Sequence, residues 1–143
     1  MITFKQSGTI DAPIEKVFSI VSDPNQIPLW RTDVPKISNV SSEPKVGMTF
    51  SEEVNFMGKK QLLMKITEYV PNSKLTIVGQ SGMGLLPTQS FTFSSQENKT
   101  TINLSVEMKV SGFFKIIQFM LSNKLKKVWA GYFINLNDLA GRK

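Results

Sequence analysis

Cysteine and histidine are both absent from this 143-residue chain. Without cysteine there is no disulfide, no thiolate nucleophile and no zinc site built on sulfur. Without histidine the Ser/His and Cys/His catalytic arrangements, imidazole ligation of haem and almost every transition-metal site fall away too. No metal and no cofactor is therefore expected, and any acid or base chemistry is left to carboxylates, tyrosines, lysines or bound water. Arginine is scarce: only Arg31 and Arg142 are found among the 17 basic residues, so the formal net charge of +6 is carried by lysine. Lysine lacks the planar fork used to read phosphates and bases, which argues against a nucleic-acid partner. A basic chain still attracts anionic surfaces and ligands. The opening residues, MITFKQSGTI, lack the basic stretch and apolar run of a secretory signal, and no run approaches the roughly 18 apolar residues of a membrane span. The expectation is a cytoplasmic protein.

What is present, 41% hydrophobic and 20% charged residues, fits one globular domain over residues 1–143 with its own core. Alternation over residues 2–10 predicts a first strand, with Ile2 and Phe4 on one face. Asp11 is then an N-cap candidate and Pro13 a first-turn residue for a helix through Val17, Phe18 and Val21. Asp23 and Pro24 predict a second short helix, ending near Trp30. Between Val34 and Val110 alternating segments are broken by turn signals at Met57-Gly58, Pro71-Asn72 and Gly82-Met83-Gly84. Beyond Gly112 a period of 3.6 predicts one helix to about Leu139, whose stripe is Phe114, Ile117, Leu121, Leu125, Val128, Tyr132, Leu136 and Leu139.

The predicted order, one strand, two short helices, six strands and a long helix, is α+β: a curved, seven-stranded antiparallel sheet with helices on one face. A sheet of that width, at about 4.8 Å per strand, is broader than one helix about 10 to 12 Å across. The concave side should keep a cavity lined by methionine, phenylalanine, leucine and valine.

Several phrases resemble the START/Bet v 1-like (SRPBCC) superfamily, in particular its polyketide cyclase/dehydrase-type branch. They are IDAPIEKVF from Ile10 to Phe18, Ser22-Asp23-Pro24, Leu29-Trp30, VGMTF from Val46 to Phe50, ITEYVP from Ile66 to Pro71, and the terminal helix with Trp129. The resemblance spans essentially the whole chain and implies a helix-grip fold (β-α-α-β6-α). It implies lipid carriers, hormone binders and aromatase/cyclases about equally, and none of its motifs is catalytic.

Candidate residues follow from the alternation. If Phe50 and Val54 point inward, so does Glu52, a carboxylate in low dielectric that would anchor a ligand or move a proton. Its alternative is a bulge or strand end that turns it to water. Gln89, in step with Phe91, is a weaker case of the same kind. Met64, Leu104, Val106 and Met108 complete the expected sheet wall, with Leu121, Leu125 and Trp129 from the long helix and Trp30 at the entrance, although the simpler reading of Trp30 is a core residue that pins the helical corner to the sheet. Ile116, Phe119 and Met120 fall outside the helix stripe near Lys115 and the Lys124–Lys127 run. They form a face for a membrane, a partner or a homodimer.

The leading expectation is binding or transport of a hydrophobic, lipid-like or aromatic small molecule. The alternatives are a cyclase, aromatase or dehydratase using Glu52, Tyr69 or Tyr132, and a protein interaction module.

Overall fold

A computed structural model describes residues 1–55, 58–81, 85–110 and 113–141. The expected element order is found. Strand β1 (Ile2–Ile10) leads into α1 (Ile14–Val21), a 3-10 turn (Pro24–Gln26) and the single-turn α2 (Ile27–Trp30). Strands β2 (Lys36–Ser38), β3 (Thr49–Asn55), β4 (Lys59–Val70), β5 (Lys74–Ser81), β6 (Leu85–Gln96) and β7 (Lys99–Val110) follow, then α3 (Phe113–Ile116) and α4 (Gln118–Ala140). The seven strands form one antiparallel sheet in the order β1-β7-β6-β5-β4-β3-β2, so β1 closes the end opposite β2. This is the helix-grip architecture, with α4 laid against the concave face. Met57, the Gly82-Met83-Gly84 connection, Phe56 and the side chain of Phe114 lie outside the described residues. Among the described residues no helix is long and apolar enough to cross a membrane.

Local chemistry departs from the expectation at three places. Asp11 does not cap α1: Pro13 occupies that position with no side-chain hydrogen bond, and the Asp11 N–H instead donates to Asn137 Oδ1 at 2.7 Å. Proline already has its φ preset, so the turn forms without a polar cap, and Asp11 is left to tie the end of β1 to α4. Asp23 does cap the next turn, accepting from the Asn25 N–H at 3.0 Å. The long helix is not continuous either. The chain bends at Ile117 (φ −106°, ψ 13°) between α3 and α4. The bend packs Ile117 against the core while Ile116 and Phe119 stay outside, 82% and 81% exposed.

The helix is also rotated relative to the predicted stripe. Leu121, Trp129, Tyr132, Phe133, Leu136 and Ala140 are its buried residues, whereas Leu125, Val128 and Leu139 are only half-buried. Aromatic rings bury more area than aliphatic chains, so Trp129 and Phe133 turn toward the sheet at the expense of the smaller residues. Gly8 makes room for this. A methyl group built there would sit 2.9 Å from Phe133 Cβ, close to the helix backbone and unable to swing aside. Gly8→Ala is expected to push α4 off β1 and cost about 1–3 kcal/mol; thermal and urea unfolding of the two chains measures it.

Candidate functional site

The sheet alternation sets the inner face. In β3, Phe50, Glu52 and Val54 are buried while their neighbours are less so, and Glu52 sits opposite Ile37 on β2 and Leu62 on β4. No bulge turns it to water: it is 2% exposed. In β6 the same period buries Gln89, Phe91 and Phe93.

Most of the concave space is filled by rings. Trp129 lies at the centre of an aromatic cluster, with Tyr132 at 5.2 Å, Trp30 at 5.9 Å, and Phe91 and Phe133 each at 6.0 Å between centroids. Phe18, 5.0 Å from Phe93 and 5.3 Å from Tyr69, extends the packing toward α1. The interior cavity that remains is about 60 Å³, lined by Arg31, Asp33, Glu52, Val54, Leu62, Pro87, Gln89, Val106, Met108, Leu125 and Trp129. At about 10–15 Å³ per water it holds a few waters, not a lipid. The roomy, methionine- and phenylalanine-lined cavity expected from sheet width is therefore corrected. The estimate that one helix cannot fill the sheet neglected how far tryptophan, tyrosine and phenylalanine reach from it.

A roomier space adjoins this cavity on the outside. A hollow of about 450 Å³ between the start of α4 and the end of β3 is lined by Asp33, Asn55, Ile117, Met120, Leu121, Lys124, Leu125, Val128, Trp129 and Tyr132. Asp33, Leu125 and Trp129 belong to both spaces, so these three residues form the partition between chamber and hollow. Of the candidate residues, Glu52, Val54, Gln89, Val106, Met108, Leu125 and Trp129 line the chamber and Leu121 lines the hollow. Trp30, Phe50, Met64, Phe91 and Leu104 do not: all are at most 2% exposed and belong to the packed core. The alternation put the four strand residues among them on the buried face, and Trp30 and Phe91 pack on the Trp129 ring. Tyr69, packed on Phe18, also lies away from the chamber.

Arg31, Asp33, Leu62, Pro87 and Tyr132 were not among the candidate wall residues. Arg31 is the centre of the chamber's polar side. Its Nη2 lies 2.9 Å from Asp33 Oδ2 and its Nε donates to Asp33 Oδ1 at 3.3 Å, a two-toothed pairing. Its Nη1 is 3.5 Å from Glu52 Oε2, and its Cζ stands 4.7 Å from the Trp129 ring centroid. The cues in the sequence were its place just after Trp30, at the expected entrance, and an arginine in a chain whose cations are nearly all lysine. A planar, weakly hydrated guanidinium is the cation suited to stacking on an indole in the interior.

The charges do not balance within this group, since one cation faces two carboxylates. Burial works against the charge on Arg31, but Asp33 and then Glu52 more than offset it, and its pKa is raised. For Glu52, burial pushes the carboxyl above its ordinary range; Arg31 opposes this only in part and Asp33 adds to it. The 3.5 Å contact alone would favour an ionised Glu52. Arg31, however, directs its better-aligned N–H groups to Asp33, so desolvation prevails and Glu52 tends to keep its proton. Tyr132 is likewise pushed up, first by burial and then by the Asp33 charge.

Gln89 completes the polar lining. It is 5% exposed and faces the chamber. Among the described residues the Trp30 indole N–H is buried without an acceptor, but it lies in the core rather than at the chamber. Among the described residues there is no group of three or more acidic side chains placed to hold a metal ion.

Two outcomes follow from the Arg31 cluster. Arg31→Met would leave the Asp33 carboxylate without its cation, an expected loss of about 3–5 kcal/mol in chemical denaturation. Glu52 acts in the opposite sense. Its raised pKa means the folded chain holds a proton that the unfolded chain releases, so its stabilising contribution is complete at low pH and is lost as pH rises through the folded pKa. Glu52→Gln keeps the neutral form at every pH. Its stability relative to the parent chain should therefore improve as pH climbs above the ordinary carboxylate range, as read from melting curves across pH.

Comparison with known proteins agrees with this architecture. The chain matches Ara h 8.0201 with a TM-score of 0.70 at 17% identity, over 96% of each chain. It matches a START superfamily protein from Mycobacterium smegmatis with a TM-score of 0.72 at 16% identity, over 97% of this chain and 99% of that one. A conserved protein from Geobacillus kaustophilus gives 0.77 at 17% identity, over 97% and 95%. A search of curated proteins gives no match. The family described as polyketide cyclase / dehydrase and lipid transport matches residues 1–133, and by that match, over most of its length, this chain belongs to it.

Proposed function

We propose that this protein binds a small amphiphilic molecule, with its compact polar end in the chamber and its apolar body in the adjoining hollow between α4 and β3. The observation that carries this reading is the pair of buried polar side chains on the chamber wall, Glu52 and Gln89. Polar groups in so dry a place favour a guest that hydrogen-bonds to them. Protonated Glu52 offers an O–H donor and Gln89 offers both donor and acceptor, which suits a neutral hydroxyl, carbonyl or carboxylic acid end. The chamber of about 60 Å³ has room for such a group and little more. The hollow of about 450 Å³ falls within the roughly 300–1,000 Å³ of small-molecule sites, and its Ile117, Met120, Leu121, Leu125 and Val128 present an apolar wall. The family description, which names lipid transport beside cyclases and dehydrases, supports a hydrophobic guest of lipid-like or aromatic type.

A second reading, a cyclase- or dehydratase-like enzyme, is favoured by the proton on Glu52. A carboxyl held neutral donates a hydrogen bond or a proton to a ligand carbonyl, so its role would be general acid rather than base. Tyr132, also held protonated, would be a second donor at the hollow. If any polyketide-type substrate is turned over by the parent chain, Glu52→Gln should remove that turnover while leaving binding in place; unchanged turnover would exclude Glu52 as the acid.

Native mass spectrometry of the purified full-length chain tests the binding reading. A mass adduct is expected, or, if the chain is isolated empty, enhanced fluorescence of anilinonaphthalene sulfonate that a long-chain alcohol reverses. Leu125→Trp, which fills the partition between the two spaces, should abolish both signals without lowering the melting temperature. A parent chain that carries no adduct and leaves the probe dark would refute binding.

A further inference from the structure

The hollow has an apolar lip. Ile116, Phe119 and Met120 are 82%, 81% and 73% exposed, three large side chains within five residues at the bend between α3 and α4. Water-facing side chains of this size in one cluster are unusual unless something covers them. Along α4, at the helical angle of about 100° per residue, Phe119, Asn123, Lys127, Met120 and Lys124 share one outward arc, and Asn123, Lys124 and Lys127 are exposed with them.

Charge distinguishes what can cover this lip. Between Glu107 and Asp138 the sequence holds Lys109, Lys115, Lys124, Lys126 and Lys127 and no acidic residue. A second copy of the chain docked face to face about a two-fold axis would bring these lysines against themselves, with no carboxylate in the same stretch to neutralise them. A surface rich in negative charge and greasy beneath complements both properties at once. That is the composition of an anionic lipid leaflet, onto which a short amphipathic helix lies in plane with its apolar side chains below the headgroups.

We propose that the α3–α4 bend docks on anionic membranes, with Ile116, Phe119 and Met120 entering the headgroup region and Lys115, Lys124 and Lys127 held at the lipid phosphates. Met120 and Lys124 line the hollow as well as the lip, so docking sets the opening of the hollow against the bilayer. A hydrophobic guest then passes between lipid and protein without crossing bulk water. Docking requires only the lip, and it stands whether or not the chamber proves to hold a ligand.

Co-sedimentation of the full-length chain with vesicles tests it. The chain should bind phosphatidylcholine vesicles carrying about 30% phosphatidylserine far better than phosphatidylcholine alone, and added salt should weaken the binding. Phe119→Ser should lower partitioning about tenfold on the anionic vesicles, the loss of one buried aromatic side chain. The double variant Lys115→Glu, Lys127→Glu should remove the preference for phosphatidylserine. Both changes sit on exposed positions, and unaltered melting curves would show that the fold is kept. Equal binding of parent and Phe119→Ser chains, or no binding to either vesicle, overturns the proposal. So does a dimer in sedimentation equilibrium that Phe119→Ser dissociates, since the lip would then be covered by a second copy.

Discussion

Arg31 is a buried cation gripped from three sides, and the candidate site is arranged around that grip. Its carboxylate partners come from the loop after α2 and from β3, and the indole beneath it comes from α4. A guanidinium taken out of water is tolerated only where its charge and its hydrogen-bonding groups are met at once. Meeting them fixes the loop, the strand and the helix relative to one another. The loop is held further by the Asn55 N–H, which donates to the Asp33 carbonyl at 2.7 Å, and Asn135 Nδ2 donates to the Trp30 carbonyl at 3.2 Å from the helix side. The chamber is the space left over where these three elements converge.

This arrangement changes what the interior can recognise. A wide, uniformly greasy cavity would select guests by volume. Here the aromatic cluster around Trp129 has taken most of that volume, and the residual space is bordered by the Arg31–Asp33 ion pair, the Glu52 carboxyl and the Gln89 amide. Discrimination then rests on the polar end of a guest, because a buried group left unpaired is penalised far more heavily than a missing methylene. The apolar hollow outside contributes affinity with little demand on shape.

How far the sequence foretold this depends on the range of the interactions involved. The alternation in β7 and in β3 is a local signal, and it placed Leu104, Val106 and Glu52 on the inner face, where they are found. The order of elements gave the sheet and its helix for the same reason. The rotation of α4 was not legible, because it is decided by a contact between Phe133 and Gly8, 125 positions apart in the chain. Counting apolar positions put Leu125 in the stripe and left Trp129 beside it, although a tryptophan buries far more surface. The chamber wall was half read for a similar reason. Glu52 and Gln89 followed from strand period, whereas Arg31 and Asp33 arrive from an irregular segment with no period to extrapolate. Ile117 breaks a helical pattern in which no proline or glycine between 113 and 130 announces the break.

One wall of the chamber is built differently from the rest. Strands β5 and β6 pair from Lys74 opposite Thr92 as far as Val78 opposite Thr88, and the next contact is Pro87, which has no N–H to give, against Gly79, where a methyl group would lie 2.8 Å from the ring. The two strands are thus paired along one stretch, and at Pro87 they meet through a ring set against bare backbone. Pro87 is held there by its place opposite Met108 on β7 and by packing on Gly79, so this part of the chamber wall keeps its shape only while position 79 carries no side chain.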